Sequence, residues 1–359
     1  MAVKKLLKFL WGLIRVVLLL IVLGLGYLTF TEFLPAPVEN VPVKGTAGET
    51  LSRGQELTIL SWNVGYGGLG AESDFFMDGG KGVRAADQRT TENYLTGMRD
   101  AIDEIAPDLI LLQEVDENST RTYGIDETAV FFGAAASATY AKNFSVPFVP
   151  YPLPPIGRVE SGLYTLSNYT IEAAERQSLP CPFSWPVRIA NLKRCLLVNY
   201  LPIQGSDKKL VLIDLHLEAY DDGEGKIAQT RQLASFIRSE YEKGNYVIAG
   251  GDFNQNFPGG LEAYPNTHPE LWKPVSLEES ALPEGFTYAF DLSTPSCRLL
   301  NQPYDPSDAA NTQYYVIDGF ILSPNVRLRS VETLDLGFAR SDHNPVLLRV
   351  KLELIPGLI

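Results

Sequence analysis

The sequence predicts an α/β protein, in which strands and helices alternate from about residue 56 to the end of the chain. Two observations carry that expectation. Apolar runs of strand length are separated by amphipathic helical stretches, and the composition, 45% hydrophobic and 20% charged, is that of a folded globular chain. A length of 359 residues suits about two domains, or one large α/β domain with appendages. No long low-complexity tract and no repeat period interrupts the chain, which sets aside disordered and solenoid classes.

The N-terminal stretch "MAVKKLLKFLWGLIRVVLLLIVLGLGYLTF" is of a different kind. Its charges are Lys4, Lys5, Lys8 and Arg15, and it holds no acid. Basic residues ahead of an apolar run mark a secretory signal or a membrane anchor. Residues 16–31 are uncharged, about 24 Å of helix, and residues 9–31 span about 35 Å if Arg15 snorkels toward the headgroups. No small-residue cleavage pattern is evident where the run exits through "TEFLPAPVEN". Residues 1–31 are therefore read as a single-pass anchor in the cell membrane, the alternative being a cleaved signal and a secreted protein. With the basic end inside, Glu32 onward faces outward. Four of the 30 basic residues and none of the 43 acids precede Glu32, which leaves 26 against 43 and a net charge of −17 beyond the anchor. Such a surface repels polyanions in general without excluding a local basic cleft.

Residues 32–55 are expected to be a linker, because "PAPVENVPVKGTAGETLSRGQ" is rich in Pro, Gly and polar residues and has no apolar period. The folded domain then covers 56–359. "ELTILSWN" and "DLILLQE" read as strands, with "TTENYLTGMRDAIDEIA" between them as a helix carrying Leu95, Met98, Ile102 and Ile105 on one face. "PFVPYPLPPIG", residues 147–157, is too Pro-rich for regular structure and reads as a surface loop. "KLVLIDLH", "NYVIAGGD" and "YYVIDGFIL" read as strands, and "KIAQTRQLASFIRSEYEKG" as a helix closing at Gly244. Cys181, Cys195 and Cys297 are an odd count for the oxidising compartment that the anchor implies. Cys181 and Cys195 flank "PFSWPVRIANLKR" and either meet across it or remain thiols, and the three spell no zinc pattern.

The strand ends form a pattern: Asn63, Glu114, His216, then Asp252 with Asn254. Any one polar strand end is ordinary, because strands must surface and Asp and Asn favour turns. Hard-oxygen donors gathered with an imidazole at strand ends, where the sites of packed sheets collect, point to metal or phosphate chemistry. Asp318 is different, since in "YYVIDGFIL" it lies within an apolar strand, where an ionised carboxylate needs a partner. Either backbone amides satisfy it or it orients an imidazole, and His343 in "ARSDHNPVLLRV" is the candidate. The third histidine, His268 in "YPNTHPELW", falls outside these motifs and reads as structural or solvated.

Taken in order, "ILSWNVG", "DLILLQEVD", "SGLYTLSNY", "LIDLHLEAY", "VIAGGDFNQN", "YVIDGFILS" and "SDHNPVLLRV" resemble the endonuclease/exonuclease/phosphatase family over roughly residues 57–351. The resemblance implies a four-layered sandwich of two packed mixed β-sheets flanked by helices. It also implies a divalent-metal-dependent hydrolase of phosphoesters, above all a phosphodiesterase. Glu114 is then the main metal ligand, with Asn63 beside it and Asp342 an outer ligand. Asp252 and Asn254 position and activate the attacking water. His343 is the essential histidine with Asp318 as its carboxylate partner, and His216 is a second histidine on a phosphate oxygen.

The residue types suit this chemistry on their own terms. Phosphoryl transfer builds negative charge on oxygens, so a hard cation held by carboxylate and amide oxygens, Mg2+ or alternatively Mn2+, is the natural stabiliser. The water's proton goes to Asp252 or to His343; if Asp318 keeps His343 as imidazolium, Asp252 is the better base. The substrate stays open between nucleic acid, a phospholipid in the manner of sphingomyelinases, an inositol phosphate and a nucleotide. Arg84, Arg89, Arg188, Lys193, Arg194, Arg298 and Arg340 are scattered through the sequence, whereas an anchor suits a lipid substrate. Arg298 either reaches a substrate phosphate or bonds loop carbonyls. A non-catalytic binding module on the same fold is the other class, and the completeness of the polar set argues against it. The implied partners are a phosphoester substrate and a membrane, with no protein partner implied.

Overall fold

Two seven-stranded mixed sheets lie face to face, and which side chains meet between them follows from the two-residue period of each strand. A computed structural model describes residues 2–353 apart from Ala47, Ala134 and Asp222, without the side chains of Ala2, Ala309 and Ala310. Residues 354–359 of the domain expected over 56–359 lie outside the described residues. In chain order the strands are β1 (Val38–Val41), β2 (Val43–Gly45), β3 (Glu56–Asn63), β4 (Leu109–Asp116), β5 (Ser137–Val149), β6 (Gly157–Ser167) and β7 (Ala173–Ser178). They continue with β8 (Cys195–Pro202), β9 (Lys209–His216), β10 (Tyr246–Asp252), β11 (Thr287–Ala289), β12 (Asp318–Leu322), β13 (Val326–Thr333) and β14 (Val346–Leu352). One sheet has the order β1-β7-β8-β9-β10-β12-β11, the other β13-β14-β3-β4-β6-β5-β2.

Leu57 and Ile59 of β3, Leu109 and Leu111 of β4, Leu212 of β9, Ile248 of β10, Phe320 of β12 and Leu348 of β14 share one core between the sheets. The alternate residues face outward. Leu60, Trp62, Ile110 and Leu112 meet Leu95, Met98 and Ile102 of α2 (Gln88–Ile105) and Phe131 of α3 (Glu127–Phe132). On the far side Val211, Ile213, Val247 and Ala249 meet Leu233 and Ile237 of α4 (Glu224–Glu242). The expected sandwich of two packed sheets flanked by helices is present, each buried Leu or Phe contributing roughly 1.5–3 kcal/mol. α2 begins where the Asp87 carboxylate accepts the Thr90 N–H at 2.8 Å.

Several expectations are corrected. The stretch 32–55 does not behave as a linker: β1 pairs with β7 at the edge of one sheet, β2 pairs with β5 at the edge of the other, and Leu51 is buried in the inter-sheet core. Its composition hid this, because short edge strands are held by backbone pairing and, Val41 apart, keep their side chains at least partly exposed. Pro147 to Val149 belong to β5, where a register shift between Val146 and Val149 takes Pro147 out of the ladder. "YYVIDGFIL" breaks into Tyr314–Tyr315 and β12, so Asp318 opens a strand rather than lying within one. Of the two states left open for Cys181 and Cys195, the structure has the free thiols, Cys181 exposed and Cys195 turned into the inter-sheet core.

The N-terminal helix α1 spans Ala2–Phe30 and is long and apolar enough over Val3–Phe30 to cross a membrane. Its last turn meets the domain, where Trp185 Nε1–H donates to Thr29 Oγ1 at 3.1 Å and Glu32 pairs with Arg188 and Lys193, both at 3.1 Å.

Gly250 sits on the inter-sheet face of β10, and a β-carbon there would overlap the fully buried ring of Phe320. Gly250→Ala is expected to lower stability by about 1–3 kcal/mol through overpacking. An unchanged urea midpoint would show that Phe320 has room to move.

Candidate active site

His216 closes β9 opposite Asp252 in the parallel pair with β10, and Asp318 opens β12 opposite Asp252 in the antiparallel pair. Directly opposed residues project to one face, so the three side chains form a row. Their parity is that of Leu212, Ile248 and Phe320, which turns them into the space between the sheets, just beyond the last apolar layer. Asn63 shares the parity of Leu57 and Ile59 and comes to the same edge from the other sheet. Beneath this row Gln113 of β4 donates through Nε2 to Asp214 Oδ1 of β9 at 2.7 Å, a polar tie between the sheets.

Strict alternation would send Glu114 outward with Leu112. A register shift between Leu112 and Val115 and a φ of +57° at Glu114 turn it back toward the cleft. A left-handed conformation at a residue with a β-carbon costs on the order of 1–2 kcal/mol. The result is that Asn63 Nδ2 lies 3.1 Å from Glu114 Oε1 and 3.0 Å from Asp252 Oδ2, while Asn63 Oδ1 accepts the Gly65 N–H at 3.0 Å. Gly65 has φ +50°, and a β-carbon on it would stand 3.0 Å from Asp342 Oδ1, so this turn admits glycine alone without strain. Asn63, Glu114 and Asp342, the expected metal set, thus come together around one turn.

His343 precedes β14. Its Nδ1 lies 2.8 Å from Asp318 Oδ2, and its Nε2 lies 3.8 Å from both Asp252 Oδ2 and Asp342 Oδ2. The pair is held from several sides. Ser296 Oγ donates to Asp318 Oδ2 at 2.7 Å and accepts the N–H groups of Ile317 and Asp318. Trp62 Nε1–H donates to the His343 carbonyl at 2.9 Å, and Ser341 Oγ donates to the Asn63 carbonyl at 2.8 Å. Asn254, at φ +50°, donates its N–H to Asp252 Oδ1 at 2.8 Å and its Nδ2 to the Leu217 carbonyl at 2.9 Å. His216 Nε2 stands 3.4 Å from Asp252 Oδ2 and 3.9 Å from Glu114 Oε1.

The two histidines are driven apart electrostatically. Burial alone would lower the His343 pKa, yet Asp318, with Cys297 and Asp342, pulls it well above its ordinary value. Burial, Arg194 and the charge on His343 push His216 well below it. Asp252 is raised to about 7 by burial and the Asp318 charge, against the pull of His343 and the hydrogen bonds from Asn254 and Asn63. Asp342 is also raised to about 7, by burial and the Glu114 charge. Buried carboxylates crowded around one imidazolium are the condition that a hard divalent cation relieves, and the carboxylate oxygens of Glu114 and Asp342 suit such an ion, while Asn63 here turns Nδ2 to Glu114 and keeps Oδ1 on the Gly65 N–H. Two tighter groupings also exist among the described residues, Asp252 with Asp318 and His343, and Cys297 with Asp342 and His343.

Other site residues had no signal in the sequence. Tyr66, at φ +42°, lies under the Arg121 guanidinium at 3.7 Å, and Arg121 in turn makes a two-pronged pair with Asp116 at 2.9 Å. The Tyr66 hydroxyl is buried with no hydrogen-bond partner among the described residues. Asp78, buried in the loop after β3, accepts from the Tyr220 hydroxyl at 3.0 Å. Several basic residues weighed for a nucleic-acid track are engaged elsewhere. Arg298 is buried and donates to the carbonyls of Gly70, Ser73, Leu299 and Gln302, and Arg194 is buried beside Glu218. His268 is half-buried at the Asn311 carbonyl, outside the site.

Burial raises Asp78 to about 6 from the ordinary 3.8, the Tyr220 and Leu300 hydrogen bonds opposing it. The folded state therefore prefers the protonated acid. That preference stabilises fully below pH about 4 and is lost as pH rises through about 6, up to about 3 kcal/mol in all. Asp78→Asn should gain on the parent in urea midpoint between pH 4 and pH 6.5. A difference independent of pH would mean that Asp78 titrates as an ordinary acid.

The profile of the Endonuclease/Exonuclease/phosphatase family matches residues 60–343, and comparison with curated proteins finds no match. Among solved structures the chain is similar to an endonuclease/exonuclease/phosphatase from Beutenbergia cavernae, with TM-score 0.55 and 15% identity over 83% of this chain and 72% of that one. It is similar to TDP2 from Caenorhabditis elegans, with TM-score 0.50 and 16% identity over 83% and 75%. It is also similar to ANGEL2, a 2′,3′-cyclic phosphatase solved with adenosine-2′,3′-vanadate, with TM-score 0.52 and 12% identity over 88% and 99%. At such identities the structures speak for the fold, and the profile speaks for the descent: the chain belongs to the endonuclease/exonuclease/phosphatase family, whose members are hydrolases acting on phosphoesters.

Proposed function

We propose that this chain is a divalent-metal-dependent phosphodiesterase, anchored in the cell membrane by α1 with its catalytic domain on the outer face. The observation that supports it most is the His343–Asp318 pair at 2.8 Å, set beside Asn63, Glu114 and Asp252 in one buried cleft. Glu114, Asn63 and Asp342 would hold Mg2+, or Mn2+ in its place, and the bound ion would supply charge neutralisation at the phosphate oxygens.

The chain's own groups divide the remaining work. Asp318 keeps His343 charged, so its Nε2–H donates to a phosphate oxygen whose charge grows in the transition state. His216, kept neutral, offers a second donor without adding charge. Asp252 is fixed by Asn63 and by the Asn254 N–H and has a pKa raised toward neutrality, which suits it to take the proton of the attacking water. Asn254, tied through Nδ2 to the Leu217 carbonyl, orients that water with its side-chain oxygen. The engagement of Arg194 and Arg298 within the fold, together with the acidic surface, favours a small or lipid-borne diester over duplex nucleic acid.

The purified chain should cleave a chromogenic phosphodiester with Mg2+, lose this activity to EDTA and regain it on Mg2+ addition. Glu114→Ala and His343→Ala should each reduce kcat by about 10²–10⁴-fold with circular dichroism unchanged. Full activity in either variant would remove the proposal. In Asp318→Asn the His343 pKa should fall, so the alkaline limb of the kcat/KM profile should move to lower pH. A limb that stays in place would assign it to another group.

A further inference from the structure

Beside the end of α1 the domain carries an apolar surface that the fold leaves uncovered. Residues 147–157, the end of β5 with the turn into β6, and residues 181–192, ahead of β8, make it. Leu153 is 88% exposed, Tyr151 67% and Val187 58%, and Phe148 and Trp185 are exposed as well. Neither segment holds an Asp or Glu in a chain with 43 acids. Their one charged residue, Arg188, pairs with Glu32 directly after the helix.

The surface is continuous with the helix exit. Leu28 of α1 packs with Ile156, Ala190 and Leu192 against one small core on β5 and β6, and Trp185 bonds to Thr29 at 3.1 Å. Arg188 and Trp185 are thereby fixed at the depth where α1 ends. Between residues 150 and 155, Pro150, Pro152, Pro154 and Pro155 carry no N–H, so this loop leaves water with few unsatisfied donors. Trp and Tyr are the side chains that favour the headgroup layer.

We propose that this patch seats the catalytic domain on the lipid bilayer crossed by α1, with Leu153 and Val187 at the hydrocarbon boundary and Tyr151 and Trp185 among the headgroups. The inference rests on the anchored-phosphodiesterase reading and adds a substrate class to it. The Tyr151 ring lies 5.6 Å edge-on from that of Phe76, whose helical turn ends at Asp78 in the cleft. Seating holds the cleft mouth at the headgroups, and the phosphodiester taken there belongs to a lipid.

The test uses the full chain with Cys181→Ser, since Cys195 and Cys297 are buried, at one chain per phosphatidylcholine nanodisc. An environment-sensitive nitrobenzoxadiazole label is placed at Leu153→Cys or at Leu328→Cys, on β13 at the opposite edge of the sheet holding β5. The label at 153 should shift to the blue and be quenched by doxyl lipids several-fold more than the label at 328. Equal, water-like emission at both sites would overturn the proposal. So would a label at 153 that is shielded only when two chains share a disc, which would mean a second copy covers the patch. Failure of the chain to enter nanodiscs would remove the anchor reading and the seat with it. In a second arm, Leu153→Asp with Val187→Asp should slow hydrolysis of a bilayer-embedded phosphodiester at least fivefold while leaving a soluble one unchanged. Equal loss on both substrates would overturn the lipid assignment. If no phosphodiester is cleaved, the catalytic reading fails, and the fluorescence still decides the seat.

Discussion

The constraint on which the rest depends is the alternation of side chains in two sheets that share one core. Leu57, Ile59, Leu212, Ile248 and Phe320 fill the space between the sheets, and the residues two or four further toward one edge inherit the same direction. Those residues are Asn63, His216, Asp252 and Asp318. A shift of one residue in any of these strands would turn its polar end and its core side chains together to the outer, helix-covered face and empty its place in the inter-sheet core. The apolar core and the polar cleft are therefore one arrangement, the second being the upper layer of the first, with the Gln113–Asp214 tie at 2.7 Å marking the change from one to the other.

The cleft is electrostatically unbalanced, and the imbalance is local. Asp252, Asp318, Asp342 and Glu114 converge, and the buried charges nearest to them are the His343 imidazole and more distant arginines already committed to other partners. Burial first, and the neighbouring carboxylates after it, raise Asp252 and Asp342 toward neutrality. His343 moves the other way because Asp318 is in contact with it and outweighs burial. Two histidines in one cleft are thus pushed in opposite directions, His216 down chiefly by its burial and His343 up by Asp318 against its burial. Such a division suits an acid-base task, and it also explains why the pair needs so rigid a frame from Ser296, Trp62 and Ser341.

Irregular segments are tied down with the same economy. Arg298 spends its guanidinium on carbonyls of two loops, at 3.0 Å to Gly70 and 3.2 Å to Ser73 among others, and so acts as a brace for the cleft wall. Arg121 stacks on Tyr66 while paired with Asp116. The segment between α1 and β3 crosses both sheet edges as β1 and β2, which couples the N-terminal helix to the domain instead of letting it swing.

The sequence by itself determined the strands and helices with strong apolar periods, because periodicity is local: β3 and β9 fall on the residues expected, and α2 and α4 within a turn. It also determined which polar side chains stand at strand ends, and the motif order was enough to indicate the family. Elements held by backbone pairing left little trace in it, so β1 and β2 read as linker. Tertiary structure alone decided how the ends meet. Glu114 reaches the cleft only through a bulge and a left-handed φ that alternation does not foretell. Asp318 meets His343 because β12 runs antiparallel to β10 and starts where β10 ends. Asp78, Tyr66 and Arg121 join them through loops and a bulged strand, whose paths are set by long-range contacts that no local pattern encodes.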